Sequence, residues 1–167
     1  MVVHLYLRAI NSHPLSTKVL SATFIAFLGD SIAQKLSRPE SPINLRRTAR
    51  FTLWATITTP LVHTWYKSVI LKIKEPVRRM LVEQLIWAPP STASFLFYMG
   101  GGGQNGLDNT QQRFPRTYMA NLALWVPVSY LNFRFVPPPL WILTNNVVGL
   151  GWSVVLSILS TPTPKNQ

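Results

Sequence analysis

Long runs without a formal charge alternate with short basic stretches along this chain. Residues 51–66, 84–107, 117–133 and 135–164 contain no Asp, Glu, Lys or Arg, and residues 19–34 contain one, Asp30. A helix that crosses a bilayer needs roughly 20 predominantly apolar residues. Each run reaches that length when Lys or Arg at its ends extends back toward the headgroups. The pattern predicts five apolar helices, at about residues 15–34, 51–71, 80–99, 117–136 and 140–160. Pro14 suits the first turn of the first helix. Pro60 is expected to kink the second, and Pro89 with Pro90 to bend the third. The run from Gly100 to Gly106 reads as a flexible linker, and Pro137, Pro138 and Pro139 break the fourth segment from the fifth. The expected fold class is all-α, a polytopic membrane helix bundle forming one domain over residues 1–167. It has four or five spanning segments, depending on whether the triple proline separates two spans or one span and an embedded helix.

Composition sharpens this picture. Of the residues, 47% are hydrophobic and only 13% charged, about half the usual charged share. The mean hydropathy is only +0.18, because the segments carry many Thr, Ser, Asn, Gly and Pro residues. Such residues belong to helices that pack against one another. The net charge of +11 would suit a nucleic-acid binder, yet no stacking platform or recognition helix accompanies it. The basic residues gather between the apolar runs: Lys35, Arg38, Arg46, Arg47 and Arg50, then Lys67, Lys72, Lys74, Arg78 and Arg79. Loops beside anionic headgroups gain from that placement. In a four-span arrangement the basic residues other than Arg134 divide eight against seven between the two sides, so the positive-inside rule gives no orientation. Trp65, Tyr66, Trp87, Tyr98 and Trp141 fall near segment ends, where interfacial aromatic belts sit. There is no cysteine, which excludes disulfide and thiolate chemistry. No Asn-x-Ser/Thr acceptor occurs, and the N-terminus lacks a compact apolar run ending in a cleavage site. Arg8 and Lys18, with no acid before Asp30, are compatible with mitochondrial import.

Helical spacing places residues three and four apart on one face. Ala22, Ala26, Gly29, Asp30 and Ala33 share a small-residue face. Thr52, Thr56, Thr59, His63 and Tyr66 share a polar one. Gln84, Trp87, Ser91, Ser94 and Tyr98 align in the third segment, and Asn121, Trp125, Ser129 and Asn132 in the fourth. The last carries Asn146, Gly149, Ser153, Ser157 and Ser160. A stripe of this kind on every segment would line a hydrated pathway. Helix–helix packing uses the same residue types and is the favoured explanation of the stripes taken alone. Asp30 is read as the only acid embedded in a segment, and pairing with Arg46, Arg47 or Arg50 is favoured over a role as a pore charge. His63 has no acidic neighbour in sequence, and a packed hydrogen-bonding role is favoured over titration. The glycine run is followed by no Gly-Lys-Ser/Thr and is no phosphate loop. No carboxylate pair, metal-ligand cluster or nucleophile–base pair stands out, so no enzyme and no cofactor are expected.

These residues also carry a resemblance. His13-Pro14, Val19-Leu20-Ser21-Ala22, Gly29-Asp30 and Gln34 resemble the first helix of the Mpv-seventeen and 22-kilodalton peroxisomal membrane protein family. Arg46, Arg47 and Arg50 resemble its basic entry to the second helix. Pro60, His63, Trp65 and Tyr66 resemble its Gly-Pro-x-x-His-x-Trp-Tyr motif, with Thr59 in place of Gly. Glu83-Gln84, followed by Pro89, resembles its Asp-Gln pair. Trp125, Asn132-Phe133, Val136-Pro137, Trp152 and Leu156-Ser157 fall at the family's C-terminal spacing. Three positions depart from it. The family's Trp-Pro is Trp125-Val126-Pro127, its Gln before the Asn is Ser129, and its Arg after the Val-Pro is Trp141.

The resemblance implies a small organellar membrane protein with about four spans. The mitochondrial inner membrane is the favoured location, with the peroxisomal membrane as the alternative. It also implies a channel for small solutes, and the rival reading is a non-conducting structural or interaction protein. The residues expected to line a pathway or to bond between helices are Asp30, Thr56, Thr59, His63, Tyr66, Gln84, Trp125, Ser129 and Asn132. Arg46, Arg47 and Arg50 are expected in a basic loop. The partners expected are the lipid bilayer, small solutes if the bundle conducts, and further copies of the chain in a homo-oligomer, without nucleic acid.

Overall fold

The computed structural model describes residues 2–37 and 39–160, with side chains at 6, 8–37, 39–152 and 155. Arg38, the side chains of Ser153, Leu156, Ser157 and Ser160, and the polar tail with Lys165 lie outside the described residues. The described chain is all-helical: α1 (Val2–Ser12), α2 (Pro14–Ser37), α3 (Leu45–Ser68), α4 (Pro76–Val82), α5 (Ala88–Met99), α6 (Gly103–Phe135) and α7 (Trp141–Ser160). A π-helical turn, Glu83–Trp87, joins α4 to α5, and short 3-10 turns lie at Ile70–Lys72 and Pro138–Leu140.

Each predicted segment is a helix, and α1 is an element that the run pattern did not mark. It packs on α2, where the Thr17 hydroxyl donates to the Ala9 carbonyl at 3.0 Å. Asn44 caps α3 by accepting the Arg47 backbone N–H at 3.0 Å, which satisfies one of the orphan donors of a first turn. Pro60 lies inside α3, which continues as one helix. The π-turn has a clear cause. Neither Pro89 nor Pro90 has an N–H to give, and in a regular helix their rings would press on the carbonyls of Leu85 and Ile86. One wider turn relieves that clash. It also buries two consecutive polar residues, Glu83 and Gln84.

The glycine linker needs correction. Gly101, Gly102 and Gly103 have φ of 100°, 73° and 55°, a left-handed run that only glycine tolerates without strain. It forms a tight corner rather than a loose loop, and α6 begins at once at Gly103. Asn109 donates to the Leu96 carbonyl at 2.7 Å and so ties the start of α6 to the end of α5. At Gly106 a Cβ would stand 2.7 Å from the Phe97 carbonyl oxygen and 2.8 Å from its ring. Gly106→Ala is therefore expected to cost about 1–3 kcal/mol, as overpacking does, measured as a lower unfolding midpoint in detergent. An unchanged midpoint would show that the corner yields easily.

Around the bundle, α2 packs on α3 and on α7, α7 on α6, α6 on α4 and α5, and α5 closes the ring by meeting α3. Two apolar clusters lie at its ends. One joins Tyr66, Ile70, Phe133, Trp141 and Ile142; the other joins Phe95 and Leu96 with Phe51, Trp54, Phe114 and Trp152 packed against them. The outer surface is apolar. Leu20, Phe24, Leu53, Ile57, Leu85 and Met119 are each at least half exposed. The buried set, by contrast, includes Lys18, Asp30, Thr48, Glu83, Gln84 and Asn132. Water would favour the opposite distribution, and a hydrocarbon surround favours this one. Among the described residues, Pro14–Ser37 is the helix that is by itself both long and apolar enough to cross a membrane. In α3 and α6 the hydropathy is diluted by Thr and Asn residues, of which Thr48, Thr59, Thr117, Asn121 and Asn132 are buried.

Candidate functional site

The inward faces meet in a central cavity of about 290 Å³, lined by residues of α2, α3, the π-turn, α5, α6 and α7. The small residues Ala22 and Ala26 of α2 form one wall, which lets neighbouring helices approach. Thr59 and Tyr66 of α3, Gln84 of the π-turn, and Trp125 and Ser129 of α6 reach the cavity, as the helical spacing of the stripes allows. Trp54, Trp87 and Trp152 join Trp125 around it, so four of the chain's six tryptophans are wall residues.

One polar network occupies the cavity's wall near the α3 C-terminus, and it is centred on a residue that the stripes did not single out. Glu83 is 6% exposed and is a second embedded acid beside Asp30. Its Oε1 accepts the Tyr66 hydroxyl and its Oε2 accepts the Ser129 hydroxyl at 2.5 Å. Both hydroxyls receive hydrogen bonds in turn. Asn145 Nδ2 donates to Tyr66 at 2.7 Å, and Gln84 Nε2 donates to Ser129 at 3.1 Å. Behind these, Asn132 donates to Asn145 at 2.9 Å and Asn121 to Gln84 at 3.2 Å. Tyr118 donates to the Gln84 backbone carbonyl at 2.8 Å. Two donor relays thus converge on one carboxyl group, which acts as acceptor at both oxygens. Neutral polar partners of this kind satisfy a buried polar group from every side.

Asn132 also donates to the Trp141 carbonyl at 3.2 Å. It therefore bridges α6 to the first turn of α7 across the triple proline, whose residues supply no N–H of their own.

Asp30 belongs to a different place. It is fully buried and does not line the cavity. Its Oδ1 lies 3.2 Å from Arg47 Nε, and its Oδ2 accepts Thr48 Oγ1 at 2.8 Å and Gln34 Nε2 at 2.7 Å. Gln34 Oε1 accepts the Asn44 backbone N–H at 2.7 Å. This cluster clamps the end of α2 to the start of α3. The three arginines expected in a loop lie instead in the first two turns of α3, because Asn44 caps the helix just before them, and they separate. Arg47 holds Asp30, Arg50 donates to the Tyr98 carbonyl and stands 5.3 Å over its ring, and Arg46 is exposed. Thr56 and His63 also serve the α2–α3 seam. The Thr56 hydroxyl meets Thr23 at 2.8 Å, and His63 Nδ1 lies 3.2 Å from the Lys18 ammonium.

The aromatic-belt expectation is overturned for Tyr66 and Trp141. Trp141 is 1% exposed, with its ring 4.9 Å from Phe133 and 5.8 Å from Tyr66. Its Nε1 donates to the Val136 carbonyl at 2.8 Å, an internal partner that replaces the headgroup or water of an interfacial tryptophan. Trp87 also faces inward, stacked on Trp65 at 5.4 Å. Glu83 and the tryptophan walls were hard to find in the sequence for one reason. An acid at the edge of an uncharged run looks like a flanking charge, and an inward Trp at a segment end looks interfacial.

Comparison with known proteins accords with the fold and the membrane-facing surface. Residues 97–157 match the family model described as the Mpv17 / PMP22 family. The chain is 32% identical over 165 residues to PXMP2/4 family protein 3 of Dictyostelium discoideum, covering 93% of this chain and 89% of that protein. It is 30% identical to the mitochondrial inner membrane protein Mpv17 of Drosophila melanogaster, over 84% of this chain and 92% of that one. It is 28% identical to the Mpv17 protein of Caenorhabditis elegans, over 96% and 94%. No solved structure matches the chain. Identity spread over nearly the full length of both partners places this chain in the Mpv17 / PMP22 family of organellar membrane proteins.

Proposed function

We propose that the chain crosses an organelle membrane with five helices and passes small solutes through its central cavity. The favoured membrane is the mitochondrial inner one, after the named Mpv17 relatives, and the peroxisomal membrane is the alternative. The five spans are α2, α3, the continuous helix from Pro76 to Met99, α6 and α7. At 1.5 Å per residue each is about 30 Å long or more, the thickness of a hydrocarbon core. The triple proline then turns the chain between two spans.

One observation carries the channel reading: the polar faces of separate helices converge on one cavity. Packing alone would place these faces at pairwise seams. A second reading, a non-conducting structural protein, draws support from the apolar clusters, whose Tyr66, Ile142, Phe51, Trp54, Phe95 and Trp152 fill part of the cavity wall. Purified protein in planar bilayers separates the two. The expected result is step-like conductance, with a larger unitary step for Trp54→Ala, which removes bulk from one end. A bilayer that stays silent with folded protein present favours the structural reading.

A further inference from the structure

The charge around the cavity is unbalanced. Glu83 is the one formally charged residue lining it, and it forms no ion pair among the described residues. Both of its carboxyl oxygens accept hydrogen bonds. Tyr66 accepts from Asn145, and Ser129 accepts from Gln84, so both hydroxyl protons are turned toward the carboxylate. A buried carboxylate with two donors is still short of a counter-charge.

The walls suggest what supplies it. Of the wall tryptophans, Trp87 lies one turn along the helix from Glu83, and Trp125 lies one turn from its partner Ser129. Trp87 is fixed by stacking on Trp65 at 5.4 Å. Aromatic faces beside a carboxylate attract organic ammonium groups through the ring quadrupole. Among the described residues no group of three His, Cys, Asp or Glu side chains could hold a metal ion. A separate observation adds a second requirement. Asn146 also lines the cavity, and its buried Nδ2 has no hydrogen-bond partner among the described residues. That donor needs an oxygen.

We propose that the cavity binds a small organic ammonium carrying a hydroxyl or carbonyl oxygen. The cation lies against Trp87 and Trp125 and neutralises Glu83, and the oxygen accepts from Asn146. The inference rests on the reading of the cavity as a solute pathway, since the ligand must reach it.

Choline is the probe. Calorimetric titration of the purified full chain in detergent compares it with 3,3-dimethylbutan-1-ol, its uncharged isostere, and with succinate. Choline is expected to bind at least about tenfold tighter than the isostere, the size of a desolvated cation–π and charge contribution. Succinate is expected not to bind. Glu83→Gln should remove the preference for choline over the isostere, and Asn146→Leu should weaken choline more than tetramethylammonium. Equal binding of choline and isostere, or binding of succinate alone, overturns the proposal. Both of those outcomes are read on the wild-type chain, so they stand even if a variant fails to fold. Bilayer recording keeps the two readings apart. Choline binding with a silent bilayer defeats the pathway and leaves the site; conductance without choline binding defeats the site and leaves the pathway.

Discussion

Asp30→Asn is expected to cost the folded bundle about 3 kcal/mol, the low end of what breaking a buried ion pair costs. The lower end applies because the Arg47 side chain is 26% exposed and recovers some solvation, while Asp30 is fully buried. The substitution keeps the shape and one acceptor but removes the charge that Arg47, Thr48 and Gln34 all address. In lipid those donors have few substitutes. Thermal unfolding in detergent measures the loss. A double-mutant cycle with Arg47→Met isolates the pair, and strong coupling is expected. The conductance serves as the counter-test. A variant of normal stability with altered cation-to-anion selectivity would make Asp30 a pore residue and sink its assignment to the α2–α3 clamp.

Trp141→Ala is expected to be at least as damaging, by about 3–5 kcal/mol, as for other large aromatic truncations in a core. Trp141 is 1% exposed and packs edge-on against Tyr66 and Phe133, with the Arg79 guanidinium 5.1 Å over its ring. Removing it opens a void beside Tyr66 and frees the Val136 carbonyl that Nε1 satisfies. Trp141→Phe should lose less, because the ring remains and only the hydrogen bond is gone. The control is Trp65→Ala, a half-buried neighbour at the edge of the same cluster. A belt residue would show a small loss for Trp141 as well, and equal, small losses for both would return Trp141 to the interface.

The helices were legible because a charge-free run of spanning length has few other uses. Thus α2 begins at Pro14 and α6 ends just before Val136-Pro137, where the sequence marks them. The tight corner at Gly101–Gly103 was not legible, since glycines read equally as slack or as left-handed backbone, and only geometry decides. The inward stripes were readable from spacing. Their partition was not: Asp30, Thr56 and His63 serve one seam, whereas Thr59, Gln84, Trp125 and Ser129 face the cavity. Which side of a helix meets a neighbour and which meets a void depends on the arrangement of all the helices. Glu83 illustrates the limit best. Its neighbour Gln84 lay on a recognised stripe, yet the π-turn that buries both residues arises from two prolines further along the chain.

The most extensive helix contact in the bundle joins α2 near the start of the chain to α7 near its end. During synthesis, therefore, α2 is complete long before its partner exists. Lys18 and Asp30 find their partners in α3, but the side of α2 that α7 covers must wait while the intervening helices emerge. Contacts so distant in sequence form late and leave a nascent chain exposed to misassembly. A message cut short before α7 would yield a product with every earlier helix intact and the α7-facing side of α2 uncovered.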